Sequence, residues 1–245
     1  MRKGWIAFQS ILLKDMRNYY IKPPNISWGI IFPFAWTLMF FIRSQTPLDI
    51  KEVLPGVVAM SVLFGTTSML AVTITFERKS RSFERLLLAP IDINLLMLAK
   101  TSGAIIFGVM NAFVPIVFAS FLTDLSGVAW LPLVGSIFFM AITSTFLGLF
   151  VAVAVKEVFE AQTFSNFFRF PMLFLSGLFI PVAALPLYLR PVSYILPPTY
   201  GADIIRQATT GQAVLPLGLS LPALVVLIAL LFAGSMSNVR RKWIL

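Results

Sequence analysis

Few side chains in this sequence could do chemistry. It contains no histidine and no cysteine, which removes the commonest general base, proton relay and zinc ligand, together with thiolate nucleophiles, thiolate metal sites and disulfides. No Gly-x-x-x-x-Gly-Lys-Ser/Thr phosphate loop occurs, so any ATP chemistry has to come from another polypeptide. The charged residues that remain, 19 Lys and Arg against 10 Asp and Glu, gather in short stretches between apolar runs. The richest stretch reads Glu77-Arg78-Lys79-Ser80-Arg81-Ser82-Phe83-Glu84-Arg85-Leu86-Leu87-Leu88-Ala89-Pro90. Ser82 is expected to be the N-cap of a short helix, with Glu84 near the positive end of its dipole. Phe83, Leu86 and Leu87 form an apolar face, and Pro90 stops the helix. Such a helix suits docking onto a soluble partner; the plainer alternative is an ordinary basic loop.

Other polar candidates are sparse. Arg169 falls inside an apolar segment, where an arginine is costly and often functional. It could greet a substrate headgroup, snorkel towards water, or pair with Glu157 or Glu160. Phe167, Phe168 and Phe174 around it are candidates for an apolar substrate path, or are packing against lipid. Every Asp and Glu lies outside a long apolar segment or at its end, which disfavours ion coupling through midplane carboxylates. No catalytic residue emerges.

The elements that hold these residues follow from composition. Of 245 residues, 58% are hydrophobic and 12% charged, against about 25% charged in soluble domains. The fold class is all-α integral membrane. Residues 4–20 read as an amphipathic helix in the headgroup plane, with Trp5, Phe8, Leu12, Met16 and Tyr19 on one face and Lys3, Lys14 and Arg17 on the other. Pro23 and Pro24 end it. Six apolar segments follow, at about 25–42, 54–76, 95–122, 128–155, 163–181 and 214–236, each near the ~20 residues that cross a bilayer. Backbone groups in lipid must bond internally, which makes the segments helices. Trp28, Trp36, Trp130 and Trp243 are expected as interface anchors, and Gly103, Gly108, Gly148 and Gly177 as points of close helix approach.

The net charge of +9 reads as a topology signal rather than a nucleic-acid footprint, because the basic residues flank the spans. With the N-terminus inside, fourteen Lys and Arg fall on the cytoplasmic side against Arg43, Lys51, Arg190 and Arg206 outside. Both termini are therefore placed in the cytoplasm of a multi-pass cell-membrane protein. Between the last two spans lies a stretch too apolar for a solvated loop and too broken for a span, interrupted by Pro181, Pro186, Pro191, Pro197 and Pro198. Two short helices dipping back into the outer leaflet satisfy both facts; a loop resting on the surface is the alternative.

The two unusual segments carry a resemblance to the membrane permeases of the ATP-binding-cassette type 2 exporter family. Its charged loop typically reads Glu-x-x-x-Gly-Thr-x-Glu-x-Leu, then an apolar stretch and proline. Glu77, Ser82, Glu84, Leu86 and Pro90 stand at those places, with Arg81 where glycine is usual. The second signature appears as Phe174-Leu175-Ser176-Gly177-Leu178-Phe179-Ile180-Pro181, Leu185-Pro186, Pro191-Val192-Ser193-Tyr194, Pro198-Thr199-Tyr200, Asp203 and Arg206. The resemblance covers essentially the whole chain and is nearest to drug- and glycolipid-exporting members without a large outer domain. It implies a pair of six-span permeases, as a homodimer, with two cytoplasmic ATPase subunits that hold ATP and Mg. It implies that residues 77–90, with Glu77, Arg78, Ser82, Phe83, Glu84, Arg85, Leu86, Leu87 and Pro90, form the coupling helix on the ATPase. It implies that 182–206, with the five prolines, Tyr194 and Tyr200, form two re-entrant helices at an outer gate. The first and fifth spans then line the dimer interface and the substrate route. The cargo implied is amphipathic or lipid-linked: a drug, lipid, glycolipid or polysaccharide. An ion-coupled secondary transporter and a non-transporting membrane scaffold are the rival classes.

Overall fold

The computed structural model describes residues 2–22, 27–43 and 49–243, and every regular element among them is helical. Helix α1 (Arg2–Asp15) continues through a π-type turn, Met16–Tyr20. A second π-type turn, Ser27–Ile31, leads into α2 (Phe32–Arg43). Then come α3 (Ile50–Lys79), α4 (Ser82–Leu87), α5 (Ile93–Ser120), α6 (Trp130–Ala154), α7 (Val158–Leu175), α8 (Arg190–Ser193), α9 (Pro197–Thr210) and α10 (Leu217–Trp243). Pro23 and Pro24, and the side chains of Lys3, Trp28, Arg43 and Trp243, lie outside the described residues.

Four of these helices, within α3, α5, α6 and α10, are long and apolar enough to cross a membrane. The expected first and fifth spans look different. The apolar helix of the first runs only Gly29–Met39. The fifth starts early, at Val158, and stops at Leu175, where Ser176 and Gly177 (φ +75°) turn the chain.

Side chains close the helix starts. Asp49 accepts from the Lys51 N–H at 2.9 Å, and Asp92 from those of Asn94 (2.8 Å) and Leu95 (3.3 Å). At α7 the Glu160 carboxylate reaches back to the N–H groups of Lys156 (2.9 Å) and Glu157 (3.2 Å). These bonds hold Glu160 below the usual carboxylate range, since they stabilise its charged form. Inside the bundle, Thr66, Thr75 and Thr101 return their hydroxyls to the carbonyl four residues earlier, so they hide polarity without a partner helix.

The centre is α3, buried on all sides between Leu54 and Ala71, with α5, α6, α7 and α9 packed round it. Small residues permit this. A Cβ at Gly148 of α6 would stand 2.4 Å from the Thr67 carbonyl oxygen of α3, so the two backbones meet where only glycine fits. One core cluster lies at the end of the bundle bearing α4 and includes Leu70, Ile74, Phe83, Leu96 and Leu149; another, including Leu63, Phe64, Leu133, Ile137 and Leu173, fills the rest.

Candidate functional site

α3 must reverse into α4 within two residues. Ser80 N–H reaches the Phe76 carbonyl (3.0 Å) and Arg81 N–H the Arg78 carbonyl (3.0 Å). Arg81 then takes φ 58°, ψ 11°, the left-handed conformation. Arg81, not Ser82, is therefore the N-cap. Ser82 is already helical, and its hydroxyl donates to the Glu77 carbonyl at 3.2 Å instead of capping. The position where the family usually has glycine is the one that needs it, because an L side chain in this region costs roughly 1–2 kcal/mol. Arg81→Gly is expected to stabilise the protein by about 0.5–1 kcal/mol net of the extra backbone entropy of glycine, read as a higher unfolding temperature in detergent.

Under this turn lies a buried ionic cluster. Glu77, Lys100 and Asp15 are each fully buried. Lys100 Nζ pairs with Glu77 Oε2 and, at 3.1 Å, with Asp15 Oδ2. Lys14 Nζ, one-third exposed, donates to Glu77 Oε1 at 2.5 Å. It also lies 3.0 Å from Asp15 Oδ1, an ion-pair contact out of line for a hydrogen bond. Two cations face two anions, so the cluster is neutral. Burial pulls the Lys14 ammonium down, but Glu77 and Asp15 more than offset this and hold it above its ordinary value. Tyr20, wholly buried, donates to the Lys100 carbonyl at 3.3 Å, and burial with the nearby carboxylates pushes its hydroxyl well up. The Phe83 ring lies 5.9 Å from Lys100 Nζ, within cation–π range. One ammonium thus joins α1, α3 and α5 and touches α4.

This arrangement divides the residues expected at a docking loop. Glu77 and Phe83 point into the bundle. Arg78 Nη1 reaches the Val155 carbonyl at 3.5 Å, and Lys79 pairs with Glu157 at 2.6 Å, fastening the turn to the α6–α7 junction. Ser82, Leu86 and Leu87 are half-buried. Glu84, Arg85, Leu88 and Pro90 face outward. Leu88, 87% exposed, is a surface residue that the sequence pattern credits to no face. Lys14, Asp15 and Lys100 also escape it. The available signals were a lysine inside the apolar run from Leu95 and the only acid in the first 48 residues.

At the opposite end, the proline-broken stretch forms a 3-10 turn (Val182–Ala184), the single turn α8, and α9. Pro181 and Pro186 bracket the first turn, Pro191 sits in α8, and Pro197 and Pro198 open α9. Side chains staple the pieces. Arg190 donates to the carbonyls of Leu185 (3.1 Å) and Ala183 (2.6 Å), and Tyr200 to that of Tyr194 (2.6 Å). Thr199 donates to Ser193, and Arg206 to Gly177 at 2.8 Å. Asp203 accepts the N–H groups of Val214 and Leu215, fixing the approach to α10. α9 is buried against α3 and α6 along most of its length.

The four substrate-path candidates diverge, as successive helical positions must. Phe167 and Phe174 face outward, the latter against Trp36 at 6.0 Å. Phe168 lines a cleft of about 350 Å³ shared with Thr143, Leu227 and Pro197. Arg169 is fully buried. Its expected partners are engaged elsewhere, Glu157 with Lys79 and Glu160 in its own cap. Instead Arg169 donates to Asn166 Oδ1 and, at 3.3 Å, to the Phe64 carbonyl, and lies 4.4 Å above the Phe64 ring.

A bundle with four membrane-length helices, its buried ion pairs gathered beside a short exposed helix, is a multi-pass membrane component. The chain belongs to the ABC-2 type transporter family, whose model matches residues 6–209. It is similar to the inner membrane transport permease YadH of Escherichia coli strain K12, and to the proteins of the same name in Escherichia coli O157:H7 and Shigella flexneri. Each is 21% identical over 249 residues, covering 98% of this chain and 97% of the relative. Permeases of this family are transporter membrane subunits that work with ATP-binding-cassette partners and are not themselves ATPases.

Proposed function

We propose that this chain is the transmembrane subunit of an ATP-driven exporter in the plasma membrane, moving an amphipathic or lipid-linked substrate out of the cytoplasm or inner leaflet. Two copies pair as a homodimer with two cassette ATPases, which hold ATP and Mg. α2 and α7 complete six spans and line the dimer interface and the route, both termini are cytoplasmic, and residues 182–206 close the outer end as re-entrant pieces. The observation that carries the reading is α4. It exposes Glu84, Arg85 and Leu88 on one side while its other side is seated, through Phe83, on the cluster that ties α1, α3 and α5 together. A soluble motor gripping the exposed side would move three helix ends at once. Substrate then biases the inward- and outward-open bundles through its different affinity for the two.

The test is assembly and hydrolysis. Co-expressed with its cassette subunit, the chain is expected to purify as a complex whose ATP hydrolysis is vanadate-sensitive and stimulated by amphiphiles. A chain that purifies alone and moves solute on a proton or sodium gradient would be an ion-coupled transporter, and one that does neither a scaffold.

A further inference from the structure

Arg169 stands out because nothing acidic answers it. The ten Asp and Glu all lie among the described residues, and none makes an ion pair with this guanidinium. Its partners are a backbone carbonyl, an amide oxygen and an aromatic face, and its Nε has no acceptor. One turn earlier on the same buried stripe of α7, the Ser165 hydroxyl is fully buried and also without a partner. A buried cation without a counter-charge is costly, and a guanidinium fork suits carboxylate and phosphate oxygens. Asn166, which is only half-buried, places a neutral oxygen on the fork from the more accessible side.

We propose that Arg169 is an anion-recognition residue in the α3–α7 seam, and that Asn166 Oδ1 occupies the position taken by a phosphate or carboxylate oxygen of the ligand. When the ligand docks, the amide swings away, the anionic oxygen replaces it on the Nη2 donor, and Ser165 and Nε gain acceptors. Phe167 and Phe174 on the outward side of α7 offer apolar contact to attached chains. Resting on the exporter reading, this assigns the cargo an anionic headgroup.

The experiment is competitive lipid retention by the purified permease–cassette complex, counted by native mass spectrometry from equimolar phosphatidylglycerol and phosphatidylcholine of matched chains. Wild type is expected to prefer phosphatidylglycerol about tenfold, the scale of one charge-assisted contact. Arg169→Met, which removes the charge and leaves an apolar side chain, brings the preference close to one. Asn166→Asp keeps Arg169 but supplies a permanent counter-charge, and abolishes the preference just as fully, which a purely structural arginine does not predict. Undiminished phosphatidylglycerol retention by assembled Asn166→Asp complex, whatever Arg169→Met does, overturns the proposal. Millimolar inorganic phosphate distinguishes the source of the anion. Displacement of the lipid by phosphate supports the anion site but counts against lipid-linked cargo, and failure to displace supports a lipid headgroup. Because retention is read without ATP, a complex that binds through Arg169 yet transports nothing contradicts the exporter reading alone.

Discussion

Replacing Lys100 by methionine is expected to be among the most damaging single changes in the protein. It leaves the Asp15 and Glu77 carboxylates, both fully buried, with only the half-accessible Lys14 between them. Breaking a buried ion pair from one side costs about 3–5 kcal/mol, because the remaining charge keeps its desolvation penalty. The expected readout is a large fall in the temperature at which the detergent-purified protein unfolds, together with poor recovery of the complex. The triple change Asp15→Asn, Glu77→Gln, Lys100→Met removes the stranded charges along with their partner and is expected to recover most of the loss, since a whole ionic group can be replaced at far lower cost than half of one. A Lys100→Met protein as stable as wild type would show that the cluster does not join α1 to α3 and α5.

Glu84→Arg is the second large effect, and it falls on function rather than stability. Glu84 is exposed in the first turn of α4, so reversal costs the fold only the helix-dipole term, about 0.3–1 kcal/mol. Against a docked cassette it places a cation where the surface is expected to present complementary charge, and like-charge juxtaposition at an interface costs several kcal/mol. The expectation is a normally folded permease whose transport-linked ATP hydrolysis falls tenfold or more, and Leu88→Asp is expected to behave alike. Phe83→Asp is the wrong probe. Phe83 is 2% exposed beneath the turn, and an aspartate there fails through folding. Unchanged substrate-stimulated hydrolysis in both Glu84→Arg and Leu88→Asp would remove α4 from the coupling role.

The four long helices were legible because uninterrupted apolar length is a strong, local signal. α3, α5, α6 and α10 contain or nearly match the runs expected at 54–76, 95–122, 128–155 and 214–236. The direction in which a boundary charge points was not legible. Glu77 follows an apolar run and reads as solvated, yet α1 folds back and covers it, a contact that links residues 63 apart in sequence. Ser82 has the chemistry of a cap, but the geometry of the reversal forces the left-handed residue one position earlier, and local propensity gives way to it. Prolines misled in the other direction. Pro197 and Pro198 read as breaks, but at the first helical positions a missing N–H costs nothing, and α9 runs unbroken for 14 residues after them. Arg169 was legible as unusual from its place among apolar residues; that it would find Asn166 and Phe64 rather than an acid depends on packing that no spacing rule encodes.

The most direct measurement of the account is transport itself. Proteoliposomes containing the permease and its cassette partner, loaded with a fluorescent anionic lipid analogue, would be given ATP and Mg on the face bearing the cassettes. The account predicts movement of the analogue to the opposite leaflet that requires ATP, stops with vanadate, and falls sharply when Glu84 is reversed. Movement that ignores ATP and vanadate and instead follows an imposed proton or sodium gradient would contradict it.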